Sequence, residues 1–271
     1  MHVSGLYLYP VKSLGGGALD RATVEPMGLS GDRRWMVTNP VGRFLTRREL
    51  PAMARLSAAV TDFGLVLSHP EAGDHAVAIP GEGDWHDVQV WRDHLDARDA
   101  GGDVAQWLSG VLGRDVRLVW MPETVRRPVD PAFAQVDDRV SFADGFPLLI
   151  TTVESLDALN ARLPAPIPMA RFRPNLVLSG VSGAFAEDEW NVLRIGTLTL
   201  RVVKPCTRCV ITTQDVDSGA IAYPGEPLRT LRAMGRIMPG KGKAGESIFG
   251  QNAIPDATAT IAVGDRVEIL A

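Results

Sequence analysis

Two cysteines are the only thiols in this 271-residue chain, and both stand in one run, Lys204-Pro205-Cys206-Thr207-Arg208-Cys209-Val210-Ile211-Thr212-Thr213. A pair three apart suits a redox dithiol, half of a zinc site, or a soft thiolate ligand for a heavier metal. Zinc wants four thiolate or imidazole ligands, yet all five histidines lie at or before His94, none of them paired around the cysteines. A thioredoxin-type dithiol wants its first cysteine at a helix N-terminus, whereas the β-branched run Val210 to Thr213 predicts a strand. The remaining reading is a single thiolate in an electropositive pocket, with Lys204 and Arg208 favouring the ionised sulfur that soft metals bind. Its plain rival is a cysteine acting as a small buried hydrophobe.

Clusters of cations with small polar residues recur elsewhere: Lys12-Ser13, Asp32-Arg33-Arg34-Trp35, Arg126-Arg127-Pro128 and Arg171-Phe172-Arg173-Pro174-Asn175. Guanidiniums with serine, threonine and asparagine nearby suit a phosphate, which accepts paired Arg donors and hydroxyls. Each cluster alone reads equally as a solvated surface. Arg173 is set apart by its place at the entrance to the apolar run Leu176-Val177-Leu178. Only four of the 28 basic residues are lysines, Lys12, Lys204, Lys241 and Lys243.

These residues need elements to position them. Strands are predicted over residues 3–9, 21–24, 34–38, 54–60, 65–68, 88–92 and 116–120, separated by Gly, Pro, Asp and Asn clusters. Helices are predicted over 103–113, 152–163 and 227–234, and two closing strands flank a Gly264-Asp265 turn. Strands dominate and helices sit singly between them, which predicts a β-rich α+β fold with barrel-like sheets, divided near residue 120 into domains 1–120 and 121–271. Gly240-Lys241-Gly242-Lys243-Ala244-Gly245 matches the dinucleotide fingerprint formally, but no strand leads into it and a loop is expected. A net charge of −4 without a basic face argues against nucleic acid, and no apolar stretch approaches a membrane span. The start of the chain carries no export signal, so a cytoplasmic protein with reduced thiols is expected.

Taken in order, Tyr-Pro-Val-Lys-Ser, Gly-Asp-Arg-Arg-Trp, Arg-Phe-Arg-Pro-Asn, Cys-Thr-Arg-Cys, Thr-Thr-x-Asp-x-x-x-Gly, Phe-Gly-Gln-Asn and Val-Gly-Asp-x-Val resemble the MOSC proteins that carry an N-terminal β-barrel domain, and among them the amidoxime-reducing type. The resemblance covers nearly the whole chain. It implies an N-terminal β-barrel-like domain, a C-terminal MOSC β-barrel with a few flanking helices, and molybdenum cofactor (Mo-molybdopterin). On this resemblance Cys209 ligates the metal and Cys206 is a non-ligand neighbour. Lys12, Ser13, Arg33, Arg173, Asn175, Thr207, Arg208 and Asn252 hold the pterin and its phosphate. Two places depart from the family pattern: Asp215-Val216-Asp217-Ser218-Gly219 replaces the commoner Asp-Pro-Asp-Thr-Gly, and Gly145-Phe146 replaces hydroxyl residues.

The implied activity is two-electron removal of oxygen from small N-hydroxylated compounds such as amidoximes and hydroxylamines. Electrons are expected from a separate iron-sulfur, flavin or haem protein, because the chain closes at Ala271 without a cysteine-rich module. No side chain identifies itself as the proton donor, and a cofactor-bound water stands level with Asp215. Two alternatives stay open: a non-catalytic carrier of the cofactor or of sulfur, and a thiol-redox protein that needs both cysteines.

Overall fold

The computed structural model describes residues 1–81, 85–239 and 245–271. Alternating apolar residues in His2–Leu8 and Val192–Ile195, and the apolar runs Leu148–Thr152 and Leu176–Ser179, build an eight-stranded sheet. Its order is Val267–Ile269, Val192–Ile195, Leu198–Thr207, Ile248–Pro255, Leu148–Thr152, Leu176–Ser179, His2–Leu8, Gly17–Leu19. All neighbours are antiparallel except Leu148–Thr152 and Leu176–Ser179, which the helix Val153–Asn160 joins in parallel. Thr152 caps that helix, its hydroxyl accepting from Ser155 N–H at 3.2 Å. The sheet curls until its far sides meet: Val3 N–H donates to the Asp265 carbonyl (2.9 Å), and Gly264 N–H to that of Val3 (2.8 Å). Its interior is packed by Val3, Leu6, Ile150, Leu176, Leu193 and Leu200, all buried.

A second, N-terminal unit comprises the sheet Trp35–Thr38, Arg117–Trp120, Asp93–Asp99, Trp85–Val90 and the meander Ser57–Thr61, Gly64–His69, Gly73–Ala78. The amphipathic helix Gly102–Leu112 lays Val104, Leu108 and Leu112 onto that core and stops at left-handed Gly113. The first residues of the chain lie in the eight-stranded sheet, and Arg21–Glu25 pairs with Ala259–Ala262, so the two halves are stitched by backbone ladders. None of the described helices is long and apolar enough to cross a membrane.

The β-rich α+β class holds, with local corrections. Residues 51–55 form a 3-10 turn opened by Pro51, so the strand expected from Ala54 begins at Ser57. The strand expected over 88–92 ends at Val90, where Trp91 and Arg92 turn the chain back to Asp93. The closing strands do not pair with each other. Val210–Thr213 is a 3-10 turn, not a strand: the Thr212 and Thr213 hydroxyls donate to the Cys209 and Val210 carbonyls at 2.9 and 2.7 Å, holding the tighter coil against β propensity. Residues 240–244 of the glycine-lysine run lie outside the described residues.

Candidate cofactor cleft

Between the halves lies an open cleft of about 850 Å³, its mouth and adjoining solvent included. Eight of the nine sequence-selected residues line it: Lys12, Ser13, Arg33, Arg173, Asn175, Arg208, Cys209 and Asn252. Thr207 does not. In the strand Leu198–Thr207 side chains alternate, and the cleft side is taken by Cys206 and, just beyond the strand, Arg208. Cys206 lines the cleft beside Cys209, and Arg208 Nη1 donates to its sulfur at 2.9 Å. Among the described residues the Cys209 sulfur makes no hydrogen bond, and its backbone caps the 3-10 turn.

Six cations line the cleft, Lys12, Arg33, Arg48, Arg171, Arg173 and Arg208, against one carboxylate, Asp144. The guanidiniums of Arg33 and Arg173 both pack on the Tyr9 ring, 4.5 and 4.2 Å from its centroid. Buried Asp32 fixes this corner, accepting from Tyr9 N–H (3.0 Å) and Arg33 Nη1 (2.5 Å). Arg33 Nη2 and Arg173 Nη1 reach backbone carbonyls of Arg173 (3.1 Å) and Leu14 (2.6 Å), and Arg208 Nη2 that of Phe172 (2.6 Å). Of the five guanidinium nitrogens buried without an acceptor among the described residues, three belong to cleft-lining arginines, Arg171 Nε, Arg173 Nη2 and Arg208 Nε; Arg47 Nε and Arg236 Nε lie outside the lining. Burial, seconded by the neighbouring Arg33 charge, pulls Arg173 down to about 9. Unpaired buried donors of one sign, crowded into one cleft, are what a bound anion relieves.

Lys12, almost wholly buried, donates to Asp144 Oδ1 (2.6 Å) and the Phe142 carbonyl (2.8 Å). Burial lowers its ammonium's pKa, and Asp144 opposes that shift. Burial pushes the Asp144 carboxyl up, but the Lys12 and Arg48 charges more than offset it and hold it well below the carboxylate range.

Four of the five described non-glycine residues with positive φ line this cleft: Ser13 (68°), Arg33 (47°), Trp91 (56°) and Arg173 (54°). Such backbone costs about 1–3 kcal/mol per residue and gathers at functional sites.

Several sequence readings need redrawing. Asn175 lines the cleft, but its amide is committed to the framework, Oδ1 accepting from Leu149 N–H (3.2 Å) and Nδ2 donating to the Tyr7 carbonyl (3.3 Å). Asn252 Nδ2 is likewise spent on the Lys204 carbonyl at 3.2 Å. Lys204 itself lies over the Phe133 ring at 4.7 Å, outside the cleft lining. Arg34 and Arg127 are buried braces, on the Met121 carbonyl and on Asp93 with the Ser141 and Ala143 carbonyls. Asp215 is outside the lining and ties its own turn, accepting from Ser218 N–H and Oγ and from Asp217 N–H, which lowers its pKa. A carboxylate so held is a poor proton donor. Sequence reasoning did not single out Asp144, Arg48, Trp91 or Thr46. Trp91 had a signal, since a two-residue Trp-Arg link between alternating runs occupies the place where Asn-Gly is ordinary.

A curled C-terminal sheet laced to an N-terminal β unit, with a thiol and a crowd of guanidiniums facing the cleft between them, is the arrangement of a MOSC protein. Residues 1–115 match the MOSC N-terminal beta barrel domain and residues 137–268 the MOSC domain, and the chain belongs to this family. Within it the chain is similar to the mitochondrial amidoxime-reducing components. Component 1 of Mus musculus is 36% identical over 283 residues, covering 99% of this chain and 82% of that protein, and component 1 of Homo sapiens is 36% identical over 280 residues with the same coverage. Component 2 of Bos taurus is 33% identical over 279 residues, 98% of this chain and 82% of its own.

Proposed function

We propose that this chain is a molybdenum-cofactor oxidoreductase that reduces N-hydroxylated compounds, as the names of its relatives suggest for amidoximes. The observation that carries the reading is the set of buried, acceptor-less nitrogens of Arg171, Arg173 and Arg208 in the cleft that also holds the uncommitted Cys209 thiol. The residues fit the group. Arg33, Arg173, Arg171 and Ser13 offer an anion donors that the fold leaves unused, and Cys209 offers a soft thiolate ligand. Bound there, a molybdenum centre supplies a two-electron change of oxidation state and affinity for oxygen.

The chain's own residues set the conditions. Arg208 bridges the Phe172 carbonyl and the Cys206 sulfur, fixing the loop that carries Cys209. Lys12 on the cleft wall already has its carboxylate partner in Asp144. In the overall reaction the N–O bond breaks, nitrogen gains two electrons, and oxygen leaves as water with two protons. The electrons come from a separate iron-sulfur, flavin or haem protein.

The test is metal and pterin analysis of protein from a cofactor-competent host, alongside benzamidoxime reduction with reduced methyl viologen. About one molybdenum per chain in wild type, lost in Cys209→Ser, together with turnover is the expected result. Less than about a tenth of a metal in both proteins overturns the reading, and full loading without turnover replaces it with a carrier.

A further inference from the structure

The hairpin Trp85–Val90/Asp93–Asp99 turns through Trp91 and Arg92. A tight hairpin turn needs positive φ, which asparagine or glycine adopts at little cost and a bulky aromatic does not. Here Trp91 takes φ 56° and lines the cleft between the halves. Its carbonyl is fixed by Gln89 Nε2 (3.0 Å), its indole N–H donates to Asp144 Oδ1 (3.3 Å), and Phe44 packs on its ring at 4.9 Å. The guanidinium of Arg48 lies over that ring, 4.8 Å from its centroid. Arg48 is exposed at the mouth and its guanidinium makes no hydrogen bond among the described residues, while the cleft's one carboxylate is already held by Lys12 and the indole. A strained turn thus carries a side chain that orients an arginine which, though near Asp144, leaves its fork of donors without a hydrogen bond among the described residues.

We propose that Arg48, positioned by Trp91, is a specificity residue that binds an anionic group on the substrate, so that the protein prefers N-hydroxylated compounds bearing a carboxylate. This rests on the reductase reading for the reacting end of the substrate only. An arginine stacked on an aromatic face keeps its in-plane donors free for a carboxylate, and the stacking spares the cost of ordering the side chain. Phe146 and Gly145, lining the same cleft, give the substrate body a wall without competing hydroxyls.

The test pairs benzamidoxime with 4-carboxybenzamidoxime, measuring binding by calorimetry on oxidised holoenzyme without reductant and turnover separately. Wild type is expected to bind the carboxylate compound about tenfold more tightly, the scale of one charge-assisted contact at a partly exposed site. The ratio of the two dissociation constants is expected to fall to about two in Arg48→Gln, and in wild type to shrink at 0.5 M KCl. Trp91→Gly, whose backbone suits the turn, is expected to lose most of the preference as well, with circular dichroism showing the sheet intact. A ratio near one in wild type, or one left unchanged by Arg48→Gln, overturns the proposal. A full ratio kept in Trp91→Gly removes Trp91 from it. Absence of turnover with the binding ratio intact strikes at the reductase reading alone.

Discussion

Arg173 tests whether the cleft is built for an anion at the expense of the empty fold. Its charge is buried, one of its terminal nitrogens has no acceptor, and its pKa falls from 12.5 to about 9 because of burial first and of Arg33 second. The guanidinium stays charged at neutral pH, so the fall measures what the unpaired charge costs, about 5 kcal/mol at about 1.4 kcal/mol per unit and about 3 after allowance for partial exposure. Arg173→Met removes that cost. It also removes the bond to the Leu14 carbonyl and the contact with the Tyr9 ring, worth about 1 kcal/mol each. The left-handed backbone is common to both proteins and cancels. Cofactor-free Arg173→Met is therefore expected to be about 1 kcal/mol more stable than wild type, a gain of about 2 °C in calorimetry. In a cofactor-competent host the same variant is expected to retain less than a tenth of the wild-type molybdenum. Sulfate at 50 mM, standing in for a phosphate, is expected to raise the melting temperature of empty wild type by about 3 °C and that of the variant by less than 1 °C. A cofactor-free variant that melts 3 °C or more below wild type refutes the reasoning, because the arginine is then a net structural asset.

Three further outcomes follow from the same geometry. Asn175→Ala strips partners from the Leu149 N–H and the Tyr7 carbonyl, so the melting temperature is expected to drop by about 5 °C or more, while molybdenum per folded chain, checked after size exclusion, stays above half of wild type. Thr207→Val, off the cleft on a strand that welcomes valine, is expected to change loading and turnover by less than twofold in the same assays. Burial pushes the Glu187 carboxyl up against the opposing bonds from Ser155 and Thr152, so the folded chain holds that proton more tightly than the unfolded one. Its contribution to stability is complete below about 4.5 and is lost as pH rises through the folded value, so the stability of wild type minus that of Glu187→Gln, from urea midpoints between pH 4.5 and 8, is expected to fall with rising pH.

The sequence carried the strand-rich class because alternation survives in runs such as Trp85–Val90, where the buried faces are those the pattern names. It misjudged Val210–Thr213 because threonine hydroxyls, invisible to a propensity scale, tie that segment into a coil. The cleft was legible through its arginines. What each arginine does was not, since Arg34 and Arg127 read like Arg33 and Arg173 yet lie outside the cleft lining as braces on the Met121, Ser141 and Ala143 carbonyls. Asp144 and Arg48 carry no motif, and only the fold brings them beside Lys12 and Trp91. Asn175 stands where the sequence reading put it, and its amide also ties the framework, with one bond at each end and a further N–H and lone pair to spare.

The left-handed residues explain why these positions resist simplification. Glycine at 13, 33, 91 and 173 would spare the fold about 1 kcal/mol or more at each, and the turns themselves would tolerate it. Each position instead carries a hydroxyl, a guanidinium or an indole that lines one cleft. The strain is held by bonds that leave little choice of backbone: Lys12 N–H to the Trp35 carbonyl before Ser13, Arg33 N–H to that of Tyr9, and Arg173 N–H to that of Ala170, at 2.8, 2.8 and 3.1 Å. The buried Asp32 then reads as the keystone of the anion corner. It fixes Tyr9 and Arg33 together while lining nothing itself, and so sets the distance at which two guanidiniums share one aromatic ring.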